Sequence, residues 1–260
     1  MRSLFAKTLY QKRFMAIGWF VAVTAIMLLT MSVYNSFSNG AIGNSLDTLP
    51  PALQKLAGDA LSFQSVGGYI SQQIFALRAP MLLIIVSIAV MVGLTAGEEE
   101  RGLTETQLAL PISRTSLLLQ KLAVALTVVA VAGAGTVAGV QAGLWGIGQS
   151  YPITDILPHL FNCLLVAVGY GLVGFAVAAA GGRRGLALGV SGGLAFLGFL
   201  INSMASSVQL LADLDRFTLF RYYAISGGYN WRYLGLLSAI ALVLVVFSLV
   251  TFGRRDIRSR

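Results

Sequence analysis

Six long apolar stretches divide the chain: Phe14–Tyr34, Ile74–Ala96, Leu122–Ile147, Leu157–Ala180, Leu186–Ser206 and Tyr233–Phe252. A helix rises about 1.5 Å per residue, so about 20 apolar residues cross the ~30 Å hydrocarbon core of a bilayer. In that medium each backbone N–H and C=O needs a partner within the segment, which a helix provides. The stretches therefore predict an all-α membrane protein with six transmembrane helices, a single transmembrane domain over residues 1–260. Composition points the same way. The chain is 57% hydrophobic and 11% charged, with a mean hydropathy of +0.80, too little charge to cover a soluble surface of that size. The first stretch follows Lys12 and Arg13 but exceeds a signal-peptide core in length, and Met31-Ser32-Val33 is a poor cleavage site, so it reads as the first span.

Lys and Arg set the expected orientation. Arg2, Lys7, Lys12, Arg13, Arg101, Arg114, Lys121, Arg183, Arg184, Arg254, Arg255, Arg258 and Arg260 fall at one set of span ends, 13 of the 18. Lys55, Arg78, Arg216, Arg221 and Arg232 fall at the other. By the positive-inside bias the first set is cytoplasmic, and both termini with it. The net charge of +8 is thus a topology signal facing anionic lipid, and no basic stripe interleaved with aromatics supports nucleic-acid binding. Residues 1–13 suit a short helix in the cytoplasmic interface, with Leu4, Phe5, Leu9 and Tyr10 among the cations. Residues 35–73 form the longest outer loop. Thr48, Pro50, Leu49, Leu53 and Leu56 predict a small amphipathic helix there. Phe217, Phe220, Tyr222, Tyr223, Tyr229 and Trp231 predict an aromatic belt near the headgroups.

Glycine marks close helix packing. Gly181, Gly185, Gly189 and Gly193 recur every four residues at the start of the fifth span, and Gly135, Gly139 and Gly143 recur likewise in the third. Residues four apart share a face, and glycine admits another backbone, either of this chain or of a second copy. Arg78, near the outer end of the second span, and Asn202 in the fifth are candidates for a substrate path. Snorkelling for the arginine, and helix-to-helix bonding for Asn202, Asn162 and Gln141, are the alternatives. Cys163 is a lone cysteine and forms neither a disulfide nor, with the lone His159, a metal site. Gly189-Val190-Ser191-Gly192 matches the G-x-S-G of intramembrane serine proteases, but Ser191 and His159 lie at opposite ends of their spans, on the order of 20 Å apart. No catalytic residue is expected. An ion-coupled carrier or channel of the same topology remains as an alternative, although no Asp or Glu falls in a predicted span to bind an ion at midplane.

The segment between the second and third spans, residues 97–116, carries four of the ten acidic residues. Leu103, Gln107 and Leu110 share a helical face, Pro111 ends that helix, and Ser113 can cap the next one. A short rigid cytoplasmic helix joined to two spans can receive a push from a soluble partner. Gly97-Glu98-Glu99-Glu100-Arg101-Gly102, then Leu108-Ala109-Leu110-Pro111-Ile112-Ser113-Arg114 with Lys121 opening a span, resembles the coupling region of type 2 ABC transporter permeases. Leu103 stands where that pattern usually has threonine, with Thr104 after it. The resemblance extends over the whole chain. It implies an ATP-driven exporter subunit, not itself an ATPase, in the plasma membrane of a bacterial or archaeal cell. A separate cytoplasmic ATP-binding subunit holds ATP and Mg, and this chain carries no phosphate-binding loop of its own. The partner docks on residues 98–112 through Glu98, Glu99, Glu100, Arg101, Leu103, Gln107, Leu110, Pro111 and Arg114. A second permease chain packs through spans one and five, beside the Gly181–Gly193 ladder. Short loops fit a small amphipathic or hydrophobic substrate.

Overall fold

A computed structural model describes residues 4–35, 65–109, 112–205, 209–223 and 230–255. The expected outer helix after Thr48 lies outside these residues, as do Leu110, Pro111 and Tyr229. Six helices are long and apolar enough to cross a membrane. They are α1 (Leu4–Ser32), α2 (Val66–Glu99), α4 (Arg114–Gly146), α5 (Ile153–Gly181), α6 (Arg184–Met204) and α8 (Trp231–Arg254). Two short helices join them: α3 (Leu103–Leu108) between α2 and α4, and α7 (Gln209–Asp215) after α6. The described residues contain no strand.

Local chemistry explains where the helices start and where the expected boundaries shift. Ser65 Oγ accepts the Gly68 N–H at 3.1 Å, so α2 begins well before Ile74 and shortens the outer loop. Ser113 Oγ caps α4 at the Ser116 N–H, 3.2 Å, as expected from its position. Asn230 caps α8 at the Tyr233 N–H. No Pro or Gly separates residues 4–13 from the first span, so the expected interfacial helix is the leading part of one continuous helix, α1. Gly182, at φ 64°, ends α5 in the left-handed region that glycine adopts without strain. Gly181 is therefore the last residue of α5 and not a member of the α6 glycine ladder.

The two ladders have different fates. An ideal Cβ on Gly139 would come within 2.5 Å of the Thr24 carbonyl, and one on Gly135 within 2.8 Å of the Phe20 carbonyl. The Thr24 hydroxyl donates to the Gly135 carbonyl at 3.1 Å. That ladder is the seam between α4 and α1. On α6, by contrast, Gly185, Gly189 and Gly193 have open space where a side chain would stand, and Leu186, Leu194 and Leu197 beside them are half exposed. Helix α5 lies centrally against α2, α6 and α8, and α2 and α5 are the most enclosed spans.

Polar side chains inside the spans are mostly absorbed by their own helices. Ser191 donates to the Ala187 carbonyl at 2.6 Å, and His159 Nδ1 lies 2.7 Å from the Asp155 carbonyl. Each member of the G-x-S-G and histidine pair is thus engaged where it stands. Gln141 donates to the Tyr151 carbonyl at 3.4 Å. The expected aromatic belt divides. Phe217 and Trp231 are exposed, whereas Phe220 and Tyr223 are buried in the bundle, because a 3-10 turn over Leu219–Tyr222 folds them inward.

Candidate functional site

Three consecutive carboxylates at the end of α2 each bind a different part of the bundle. Glu98, 4% exposed, lies between two lysines: Lys12 Nζ on α1 at 3.3 Å and Lys121 Nζ on α4 at 3.2 Å. Glu99 pairs with Arg255 at the end of α8. Glu100 accepts the backbone N–H of Arg184 at 2.9 Å, at the first turn of α6, where a carboxylate also meets the positive end of the helix dipole. Helix α2 thereby touches α1, α4, α8 and α6 through three neighbouring residues. The helical turn Ala96–Glu99 fans their side chains about 100° apart, which is why adjacent residues reach different partners.

Arg255 extends the cluster. Its Nη1 donates to the carbonyls of Ala178 at 3.4 Å and Ala179 at 3.2 Å in the last turn of α5, the first of which also accepts the Gly182 N–H at 2.8 Å. Its own carbonyl accepts from Arg114 Nη1 at 2.6 Å, at the start of α4. A Cβ at Gly182 would fall 2.6 Å from Glu99 Oε1 and 2.8 Å from Arg255 Nη2, so glycine at this turn serves both conformation and space. All six long helices thus meet one polar knot at a single end of the bundle.

Helix α3 closes the knot from outside. Gly102, at φ 72°, reverses the chain after Glu99. Thr104, 1% exposed, accepts from Lys121 Nζ at 3.2 Å, and Gln107 Nε2 donates to Glu98 Oε2 at 3.4 Å. The opposite face carries Arg101, Leu103, Glu105 and Thr106 in the open, with Leu103 44% exposed. The face expected to unite Leu103 with Gln107 is therefore split: Gln107 turns in and Leu103 turns out. Glu98, Glu99, Glu100 and Arg114 all have partners within the chain. The outward set is Arg101 and Leu103 together with Glu105 and Thr106, two residues that spacing alone did not single out. Nor did it single out Lys12, Arg184 and Arg255 as partners, because they lie far away in sequence. Their shared assignment to the basic end was the available signal.

The other predicted site residues lie elsewhere. Arg78 turns back within its own helix and donates to the carbonyl of Gln73 at 2.8 Å and to its side-chain oxygen. Asn202 donates to Asp215 Oδ1 at 3.1 Å, so it fastens α7 to α6. The α6 glycines face outward, away from the polar knot.

A family model described as ABC-2 family transporter protein matches residues 5–257, nearly the entire chain. No curated protein matches.

Proposed function

Since the chain belongs to the ABC-2 transporter family, whose members are multi-pass permease components of ABC transporters, we propose that it is the membrane subunit of an ATP-driven exporter worked by a separate ATP-binding subunit. The partner holds ATP and Mg and docks on residues 98–112 from the cytoplasm. One observation carries the reading: the segment between α2 and α4 grips the bundle on one face and leaves Arg101, Leu103, Glu105 and Thr106 open on the other. An inward face held by the Lys121–Thr104 and Gln107–Glu98 bonds makes the segment rigid. An outward face with two charges of opposite sign around an exposed leucine suits a protein groove better than water. A push there reaches α1 and α4 through Glu98, α8 through Glu99 and α6 through Glu100. Both termini are then cytoplasmic, in the plasma membrane of a bacterial or archaeal cell. A second permease chain, identical or related, covers the open α6 face, and the substrate is small and amphipathic or hydrophobic.

The test is co-purification from native membranes, followed by charge reversal. The wild-type chain is expected to bring down an ATP-binding subunit. The double variant Arg101→Glu, Glu105→Lys should lose that subunit while its detergent-solubilised melting curve is unchanged, since both side chains stand in the open. Undiminished co-purification of the double variant removes the docking face from this segment. Absence of any nucleotide-binding partner from the wild type removes the permease reading itself.

A further inference from the structure

Two consecutive cations near the start of α1 turn to different sides. Lys12 reaches into the bundle, where its Nζ pairs with Glu98. Arg13, about 100° further round the helix, leans outward over two aromatic rings. Its guanidinium carbon lies 3.7 Å from the centroid of the Tyr10 ring and 4.8 Å from that of Phe14, both within the ~6 Å reach of a cation–π contact. Tyr10 is 66% exposed and Phe14 70%. Among the described residues no carboxylate pairs with Arg13 and no acceptor takes its N–H groups. A ring contact uses the π face of a guanidinium and leaves the five N–H donors in its plane to another acceptor.

The surroundings say what that acceptor is. Lys7, Tyr10, Phe14, Ile17 and Val21 recur at spacings of three and four, so they share one face of α1, and all five are exposed. The face changes character along the helix: a cation first, aromatic rings next, aliphatic side chains last. A phospholipid runs in the same order, from phosphate through the ester layer to the acyl chains, and aromatic side chains favour the middle layer. The direction of the face is fixed by the rest of the helix. The Phe5 N–H donates to Gln120 Oε1 at 2.8 Å, which fastens the first turn to α4, and the Gly135–Gly139 seam holds a different face of α1 further along.

We propose that the Lys7–Val21 face of α1 is a binding site for one anionic phospholipid, with the Arg13 guanidinium bound to the phosphate and the Tyr10 and Phe14 rings holding that guanidinium in position. Two parallel N–H groups of Arg13 donate to two phosphate oxygens, a geometry that suits a planar fork and not an ammonium. Lys7 stands nearer the helix start and adds a second positive charge on the headgroup side. Phe14, Ile17 and Val21 lie along an acyl chain. A zwitterionic headgroup brings its own cation toward Lys7, so the site prefers a lipid with net negative charge. The inference shares with the function above only the placing of the basic end in the cytoplasmic leaflet, where anionic lipid meets juxtamembrane cations.

The test is native mass spectrometry of the full-length, delipidated chain titrated with phosphatidylglycerol or with phosphatidylcholine, reading the affinity of the first lipid bound. Wild type should bind phosphatidylglycerol more tightly than phosphatidylcholine. Arg13→Gln should weaken the phosphatidylglycerol step about fivefold, the share of one cation beside an anionic lipid surface. Arg13→Lys keeps the charge without the fork and should fall between the two. Tyr10→Leu with Phe14→Leu keeps every charge and an apolar face, and should also weaken the step because the guanidinium loses its rings. Arg183→Gln removes one exposed cation from the same end of the bundle and should match wild type. Equal loss in Arg183→Gln and Arg13→Gln reduces the effect to general surface charge and overturns the site. A wild-type chain without preference overturns it as well, the result expected if a second permease chain covers this face. Inorganic phosphate at the lipid's concentration should not compete, and full displacement by it overturns the lipid as the ligand. The measurement needs no ATP-binding subunit, so its failure leaves the permease reading intact, and a chain that copurifies with no such subunit leaves the lipid site intact.

Discussion

At the residue scale, Glu98 is the most consequential carboxylate in the chain. Its two lysines are not equivalent: the Lys121 side chain is 3% exposed, that of Lys12 26%. A buried ion pair gains little over apolar packing, but removing one partner strands the other charge. Glu98→Gln should therefore destabilise by roughly 3–5 kcal/mol, because the buried Lys121 ammonium loses the carboxylate 3.2 Å away. Lys12→Gln should cost less, since Lys12 already reaches water. Adding Lys121→Met to Glu98→Gln should recover most of the loss. Melting curves of the detergent-solubilised protein check the order, and a Lys12 variant as damaging as the Glu98 variant would contradict it. The sequence shows three glutamates in a row at a span end. That the first is sunk between lysines 86 residues and 23 residues distant in sequence depends on how three helices meet, which composition and spacing do not encode.

At the element scale, the six spans were legible because a run of about 20 apolar residues has one stable outcome in lipid. Their ends were less so. The π-helix at Ile70–Arg78 is invisible to hydropathy, although Pro80 marks the place where a helical donor is missing. The glycine ladders carry the same point further. Their spacing states that a backbone can approach and is silent on which backbone does. Gly139→Ala places a methyl group against the Thr24 carbonyl and should destabilise by about 1–3 kcal/mol through overpacking of the α1–α4 seam. A Cβ on Gly189 meets nothing within 4 Å among the described residues, so Gly189→Leu extends into open space. It should leave the melting temperature of the isolated subunit unchanged and weaken assembly with a second permease chain on a native gel. Intact assembly in Gly189→Leu would place the interface on another face, such as the exposed Phe14, Ile17 and Val21 of α1.

At the scale of the whole molecule, the coupling segment was legible as a segment and its wiring was not. Pro111, Ser113 and the acidic run announce a rigid turn between two spans. The pairing of Glu99 with Arg255 joins residues 156 apart, and only the shared basic end of the spans hinted that they could meet. That pair also tests whether the knot transmits force or merely holds the bundle together. Arg255 fastens the end of α8 to Glu99 and to the last carbonyls of α5, so losing it should free two spans from the handle that α2 and α3 form. In the reconstituted complex, Glu99→Arg or Arg255→Glu alone should leave ATP hydrolysis running while the ATP-dependent change in amide hydrogen exchange of α8 is lost. The double exchange, Glu99→Arg with Arg255→Glu, restores opposite charges across the contact and should restore that change in part. It cannot do so fully, since a carboxylate at position 255 cannot donate to the Ala178 and Ala179 carbonyls. Equal failure of the single and double variants would mean that the carbonyl caps, and not the ion pair, link α8 to the handle.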